Sequence, residues 1–132
     1  MELILHTDGG ARGNPGPAAA GVVIRNNNNE IIKELGKFLG TKTNNEAEYI
    51  ALYLGLASCI ALGGASISCF LDSELIVKQL KGEYKVKSPG LKPYYEKVLD
   101  LSKKFSKISY THVPRAKNAE ADKLVNEVLD AQ

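Results

Sequence analysis

Residues 43–64, TNNEAEYIALYLGLASCIALGG, contain the point where the spacing of apolar residues changes from that of strands to that of a helix. Thr43-Asn-Asn-Glu46 is a capping box, in which two side chains satisfy backbone amides at a helix start and stabilise it by about 1 kcal/mol. Gly63-Gly64 ends the pattern. The apolar positions in between repeat every three or four residues, which predicts an amphipathic helix. They are Ala47, Ile50, Ala51, Leu54, Ala57 and Ala61.

The chain before this helix predicts three strands. Residues 2–7 predict a short buried strand that ends in the turn-rich segment 8–17. Residues 18–25 and 30–39 predict two further strands, and residues 26–29, all asparagine, suit a hairpin turn because asparagine tolerates positive φ. Sequential strands joined by short turns favour an antiparallel meander.

The chain after this helix alternates between strand and helix periods. The predicted elements are a strand at 66–71, helices at 73–81 and 91–105, a strand at 107–113, and a last helix capped by Asn118. Strands separated by helices run parallel in one sheet. The sequence therefore predicts an α/β fold with a mixed five-stranded sheet, three strands antiparallel and two further strands parallel, flanked by helices. A chain of 132 residues fits one domain, 1–132.

Composition excludes several classes of protein. The chain is 44% hydrophobic and 24% charged, and no apolar stretch approaches the roughly 20 residues of a membrane span. The N-terminus has neither the basic lead nor the cleavage site of a signal peptide. Two cysteines, Cys59 and Cys69, form no disulfide framework, and we expect both to be reduced. A cytoplasmic monomer is the expectation.

Charge is distributed unevenly along the chain. Residues 78–117 hold eleven basic and three acidic side chains, whereas the remainder holds six basic and twelve acidic ones. This asymmetry is typical of a protein that grips a polyanion with one region. A lysine-coated, solvated helix gives the same pattern, and charge alone does not separate the two interpretations.

Four acids are candidates for chemistry. Asp8 and Asp72 each follow a predicted strand, and in open α/β sheets sites form at strand carboxyl ends, although a turn-forming aspartate is the simpler reading of each alone. Glu46 and Glu48 point about 200° apart on a helix, and Glu46 is already used by the capping box, so Glu48 is the better ligand candidate. Asp122 lies in the first turn of the last helix, where it also complements the helix dipole.

Carboxylates gathered in one crevice repel one another by about 4 kcal/mol for a pair 4 Å apart at an effective dielectric of 20. Such a cluster therefore calls for cations, and oxygen ligands suit Mg²⁺ or Mn²⁺. Two such ions can clamp the attacking water and the leaving oxygen of a phosphoryl displacement. Spacing alone does not show that the four acids meet.

Four segments resemble, in order and across nearly the whole chain, the motifs of the ribonuclease H type 1 family. They are Thr7-Asp8-Gly9-Gly10 with Gly13-Asn14-Pro15-Gly16-Pro17, Thr43-Asn44-Asn45-Glu46-Ala47-Glu48, Asp72-Ser73, and Asn118 with Asp122. The resemblance implies a ribonuclease H-like fold and a catalytic, metal-binding set of Asp8, Glu48, Asp72 and Asp122. It implies that two Mg²⁺ or Mn²⁺ ions act when substrate is bound. It also implies that Arg12, Gly13, Asn14, Asn44 and Asn45 read the 2′-hydroxyls of an RNA strand, and that Thr43 holds a phosphate of the DNA strand.

The chain departs from the family pattern in two places. Many members carry a histidine in the loop before the last acid, and Arg115 stands closest to it here; because arginine stays charged, we expect it to act electrostatically. His6 and His112 are interpreted as strand residues. Some members carry a basic, tryptophan-containing helix that this chain lacks, and Lys81, Lys85 and Lys87 with Tyr84 substitute for it in part. We therefore expect weaker, salt-dependent binding.

The resulting hypothesis is an endoribonuclease that hydrolyses the RNA strand of RNA–DNA hybrids and leaves 5′-phosphate and 3′-hydroxyl ends. Two alternatives remain open at the level of sequence. One is a non-catalytic nucleic-acid-binding module on the same fold, and the other is a related metal-dependent nuclease that acts on duplex RNA or DNA junctions. Cleavage of duplex RNA as a second substrate also stays open.

Overall fold

The structure, a computed structural model, describes residues 1–132 as five strands, four α-helices and one 3-10 turn. In chain order these are β1 (Glu2–Ala11), β2 (Gly16–Asn26), β3 (Ile31–Lys42), α1 (Asn44–Ala61), β4 (Ser66–Leu71), α2 (Glu74–Leu80), α3 (Lys92–Ser102), β5 (Lys107–His112), the 3-10 turn (Arg115–Asn118) and α4 (Ala119–Asp130). The predicted order of strands and helices is confirmed, and the 3-10 turn is an addition to it.

The strands form one sheet in the order β3-β2-β1-β4-β5. β1 pairs antiparallel with β2, and β2 with β3, whereas β4 runs parallel to both β1 and β5. The predicted mixed sheet is therefore confirmed. Because β1 lies in the centre, it is covered by helices on both faces.

Helices pack on the two faces of the sheet and enclose two cores of different size. α1 lies against one face, where a Cβ added to Gly55 would meet Leu5 and Thr7 of β1. Together with α2 and α3 it encloses a core of 18 buried residues. α4 covers the other face, where Val125 and Leu129 pack against Ala19 of β2. None of the helices combines the length and hydropathy that a membrane span requires.

The first two strands are longer than the sequence predicts. The segment 8–17 was expected to be a turn, but β1 continues to Ala11 and β2 begins at Gly16. The pairing of Asp8 with Gly21 and of Ala11 with Ala18 extends the ladder through the glycines. Glycine stands in these strands because helices approach the backbone closely there, since a Cβ on Gly21 would lie 2.3 Å from the Ala121 carbonyl oxygen.

The predicted apolar face of α1 is partly wrong. Ala47 and Ala51 are buried as expected, but Ile50 and Leu54 are only half-buried and Ala61 is exposed. The fully buried large side chains lie on an adjacent face; they are Tyr49, Leu52 and Leu56. The helix carries apolar residues around most of its circumference, so their spacing alone does not identify the side that meets the sheet.

Candidate active site

A crevice opens where β1 and β4 separate. The parallel pairing between these strands ends at His6 with Phe70, whereas β1 continues beside β2 to Ala11. Beyond Thr7, one edge of β1 therefore lacks a neighbouring strand. Asp8 lies on this stretch of β1, and Asp72 follows directly after the end of β4. Asp8 is thus inside its strand rather than at the predicted end, and the crevice still lies at the carboxyl end of β4, as the sequence predicts.

Glu48 reaches the free edge of β1 from the first turns of α1. Its Oε1 accepts a hydrogen bond of 2.5 Å from the Gly9 amide, a donor that a strand neighbour would otherwise occupy. The approach is possible because Gly9 has no side chain, since a Cβ there would lie 2.2 Å from the Ala47 carbonyl carbon and oxygen. Glu46 is held in the predicted capping box, with reciprocal bonds of 2.9 and 3.1 Å to Thr43. The choice of Glu48 over Glu46 as the acid that faces the crevice agrees with this geometry.

Three of the four predicted acids meet in this crevice. One carboxylate oxygen from each of Asp8, Glu48 and Asp72 lies within 4.8 Å of the other two. Asp8 and Glu48 are buried, at 8% and 7% exposure, and Asp72 is half-buried. The open volume above them is about 460 Å³ and is lined by mostly polar side chains, among them Arg12, Asn45 and Arg115. The geometry agrees with the predicted acid cluster, while the catalytic role of these residues stays a prediction.

Asp122 lines the same crevice and its carboxyl lies close enough to Asp8 to raise the pKa of that acid, although it is not one of the three acids within 4.8 Å of one another. Its Oδ1 accepts a bond of 3.1 Å from Arg115, and its Oδ2 accepts one of 3.4 Å from Asn126. Arg115 lies on the 3-10 turn, with its side chain 77% exposed. Arg115, which the sequence places near the last acid, therefore forms an ion pair with Asp122.

The electrostatics of the crevice raise the pKa values of the three clustered acids. Burial, followed by the charges of Asp72 and Asp122, raises the pKa of Asp8 to about 7, although a hydrogen bond with Glu48 opposes the rise. Burial and the nearby Asp8 raise the pKa of Glu48 well above its ordinary value. Burial also raises the pKa of Asp72, against the lowering effects of Asn118 and Arg115. An oxygen-only cluster in this state fits a hard divalent cation, which would displace the protons.

The raised pKa of Asp8 predicts how metal-free protein responds to pH. Between about pH 4 and pH 7 the folded state keeps a proton that the unfolded state releases, so the free energy of unfolding falls as pH rises through this window. In EDTA at pH 8, we therefore expect Asp8→Asn to melt at a higher temperature than the wild type, and added Mg²⁺ to stabilise the wild type more than Asp8→Asn. Thermal denaturation in EDTA and in Mg²⁺, at pH 5 and pH 8, measures both effects.

The exposed acid Asp100 provides the control, because Asp100→Asn leaves the crevice unchanged and should respond to Mg²⁺ like the wild type. Burial lowers the pKa of His6, so its contribution to the free energy of unfolding rises with pH, opposite to that of Asp8. Because His6 is present in every variant, the comparison between variants cancels this contribution. Equal melting temperatures of wild type and Asp8→Asn in EDTA at pH 8 would contradict the raised pKa of Asp8.

The residues predicted to contact RNA surround the start of α1. The Asn44 side-chain oxygen accepts a bond of 2.8 Å from the Ala11 amide, and the Asn44 amide donates one of 3.0 Å to the Asn14 side chain. These bonds join the β1–β2 turn, which contains Gly13, to the helix. Arg12 also lines the crevice, but its guanidinium is bonded at 2.5 Å to Asp130 of α4.

A second cavity, of about 340 Å³, lies beside the start of α1. It is lined by Asn14, Thr43, Asn45, Glu46, Ser88, Gly90 and Leu91. The three predicted lysines lie elsewhere: Lys81 follows α2, and Lys85 and Lys87 lie beside the exposed ring of Tyr84. The structure therefore does not bring these lysines to the acids.

Two polar residues of the crevice region have roles that the sequence did not reveal. Asn118 was expected to cap α4, but its side chain makes no capping bond and instead donates a bond of 2.8 Å to the Thr7 carbonyl. Asn126 lies one helical turn after Asp122 and donates a hydrogen bond to its carboxylate. The i, i+4 spacing of the two residues on a predicted helix could have indicated this contact. His112 lies at the end of β5, 3.8 Å from Glu74, and does not line the crevice.

The family of this chain can be identified by comparison with known proteins, and the result agrees with the sheet order and the acid cluster described above. The family model described as reverse transcriptase-like matches residues 6–128. The chain belongs to the ribonuclease H-like family. The resemblance drawn from the four motifs is thereby confirmed for the family, while the branch that lacks the tryptophan helix and carries arginine for histidine stays a prediction.

Individual relatives agree with this assignment. The crystal structure of RNase H1 from the archaeon Halobacterium salinarum superposes with a TM-score of 0.98 at 40% identity, over all of both chains. LC11-RNase H1 in complex with an RNA/DNA hybrid gives a TM-score of 0.90 at 43% identity, over 95% of this chain and 94% of that one. The bifunctional protein Rv2228c of Mycobacterium tuberculosis is 40% identical over 99% of this chain, which spans only 36% of that relative's length.

Proposed function

We propose that this protein is an endoribonuclease that hydrolyses the RNA strand of RNA–DNA hybrids with two Mg²⁺ or Mn²⁺ ions and leaves 5′-phosphate and 3′-hydroxyl ends. The observation that carries the proposal is the convergence of Asp8, Glu48 and Asp72 within 4.8 Å in an open crevice of a ribonuclease H-like fold. Residues 1–132 act as a single domain and as a monomer in this proposal.

The four acids hold the cations in this mechanism. Divalent ions held there would supply an activated water and neutralise the leaving oxygen of an in-line displacement. Glu48 is held in place by the Gly9 amide, and Asp8 is fixed by its position in a paired strand, so both present oxygens without reorganisation. Asp122 would hold a cation in place of its present contact with Arg115.

Arg115 acts as a mobile positive charge at the rim. Its guanidinium is exposed and remains protonated, so it cannot transfer a proton in the reaction. Once released from Asp122, it stabilises negative charge on the scissile phosphate or on the leaving group. This role agrees with its position between the acids and solvent.

The start of α1 supports recognition of RNA next to the acids. The Asn44 oxygen is occupied by the Ala11 amide, which leaves the Asn44 amino group available as a donor. Asn14 is bonded to the Asn44 backbone, and Asn45 and Arg12 line the same crevice as Asn44. Together with the neighbouring Gly13 they offer polar groups suited to 2′-hydroxyls, which distinguish RNA from DNA. The crystallised complex of LC11-RNase H1 with an RNA/DNA hybrid supports the same class of substrate.

The second cavity and the lysines complete the proposed interface. Thr43 faces the 340 Å³ cavity beside α1, where it can hold a phosphate of the DNA strand. Lys81, Lys85 and Lys87 add contacts to phosphates at a distance from the acids. Contacts of this kind weaken with salt, because binding releases condensed counterions from the nucleic acid.

Incubation of labelled substrates tests the proposal. With Mg²⁺ or Mn²⁺ we expect cleavage of the RNA strand of a uniform hybrid to products with 5′-phosphates, and with EDTA we expect none. Duplex RNA and duplex DNA of the same sequence are the comparison substrates. A hybrid that is bound but left intact with metal supplied would refute catalysis and leave a binding module, whereas faster cleavage of duplex RNA would refute the assigned substrate.

A further inference from the structure

Asn118 is a buried polar residue at the junction of the segments that carry three of the acids. Its side chain is 1% exposed and donates a hydrogen bond of 2.8 Å to the backbone carbonyl of Thr7, the residue before Asp8. It also lies beside Asp72, since its side chain lowers the pKa of that carboxyl against the rise caused by burial. The helix that begins after Asn118 carries Asp122 in its first turn.

The bond from Asn118 to the Thr7 carbonyl lies at the point in the sheet where β1 and β4 separate. Parallel pairing of β1 with β4 stops at His6, so the Thr7 carbonyl lies where β1 is about to lose its neighbour. The amide of Asn118 supplies a partner there in place of the missing strand. The bond therefore ties the start of α4 to β1 at the position where the crevice opens.

A helix-capping role does not account for this residue. A capping asparagine accepts a bond through its side-chain oxygen from the first turn of the helix. Asn118 makes no such bond, and its Oδ1 has no hydrogen-bond partner in the protein. Only the amino end of the side chain is used, and that end is directed to β1.

We propose that Asn118 is a positioning residue, which sets the distance between Asp8 and Asp72 through its bond to Thr7 and so tunes the affinity of the site for divalent cations. The inference rests on the proposed function, because its readout is metal-dependent cleavage. The side chain makes no contact with substrate in this proposal. Its replacement should therefore affect metal affinity and kcat rather than the KM for the hybrid.

Asn118→Asp is the most direct test, because aspartate has the same shape but, when ionised, offers no donor to Thr7. We expect kcat to fall by about 10- to 100-fold, and the Mg²⁺ concentration for half-maximal activity to rise by a similar factor. The KM for a hybrid should stay within about twofold of the wild type, since no binding contact is lost. Asn118→Ala, which removes the donor without adding charge, should shift both quantities in the same direction.

Val98→Ala controls for loss of stability. Val98 is fully buried on α3, in the core on the opposite side of the sheet from α4, so its truncation lowers Tm without touching the crevice. All assays are run well below the lowest Tm of the set. If Asn118→Asp fails to fold, the Mg²⁺-induced rise in the Tm of Asn118→Ala provides the measurement, and it should be smaller than that of Val98→Ala.

Wild-type kcat and wild-type Mg²⁺ dependence in a folded Asn118 variant would overturn the inference. An equal shift in Val98→Ala would overturn it as well, because the effect would then follow stability alone. Failure of the wild type itself to cleave hybrids would instead refute the proposed function, so the two failures are distinguishable.

Discussion

Replacement of Asp8 by asparagine is expected to reduce the rate of hybrid cleavage by at least about 10²–10³-fold, a loss of transition-state stabilisation of about 3–4 kcal/mol. Asparagine has the same shape, so the fold and the substrate-facing surface remain. What is lost is one negative charge in a cluster where Glu48 and Asp72 lie within 4.8 Å. Because the cluster then carries one negative charge fewer, it binds divalent cations more weakly and balances their positive charge less completely.

Initial rates on a labelled hybrid, measured over a wide range of Mg²⁺ concentrations, give the size of the effect. Asp100→Asn is the matched control, because it makes the same chemical change at an exposed position on α3 and should cleave at the wild-type rate. A near-normal rate for Asp8→Asn would dispose of the metal-site assignment. Recovery of wild-type turnover at high Mg²⁺ would instead place the contribution of Asp8 in ion affinity alone.

Gly9→Ala should damage both stability and catalysis. A Cβ at this position would lie 2.2 Å from the Ala47 carbonyl carbon and oxygen and 2.5 Å from the Glu48 amide, all of them backbone atoms of α1. The helix must move outward, which we expect to cost about 1–3 kcal/mol or more of the free energy of unfolding. Because α1 carries Glu48, the same movement misplaces a carboxylate, and a shift of about 1 Å can cost roughly 10²-fold in rate.

Gly10→Ala is an unusually close control for this prediction. It makes the same substitution one residue along β1, where the nearest atom to the added Cβ is Val125 Cγ1 at 3.5 Å, an ordinary contact. We expect Tm and kcat close to those of the wild type for Gly10→Ala, and both reduced for Gly9→Ala. If the two variants were equally stable and active, α1 would not be packed against β1 closely enough to exclude a side chain at residue 9.

The features that the sequence predicted correctly are those set by neighbouring residues. The capping box of Thr43 and Glu46 is a local arrangement, so the sequence alone distinguishes the structural role of Glu46 from that of Glu48. The position of Asp72 after a short apolar strand follows from the same kind of reasoning. The four acids could be grouped only through the resemblance to a family, because no spacing rule brings residues 8, 48, 72 and 122 together.

The features that the sequence did not predict depend on tertiary contacts. Gly9 and Gly10 indicate a turn by their conformational preference, but strand pairing and the close approach of α1 decide their structure. Asn118 has the position of a helix cap and makes a bond to a strand more than a hundred residues earlier. The pairing of Arg12 with Asp130 is of the same long-range kind, and it engages a side chain predicted to bind RNA.

Anomalous diffraction from crystals soaked in Mn²⁺ shows whether acids distant in sequence form one cation site. We expect a Mn²⁺ peak within bonding distance of the carboxylates of Asp8, Glu48 and Asp72, and its loss in crystals of Asp8→Asn. Well-occupied Mn²⁺ found only elsewhere on the protein, with the crevice empty, would contradict it.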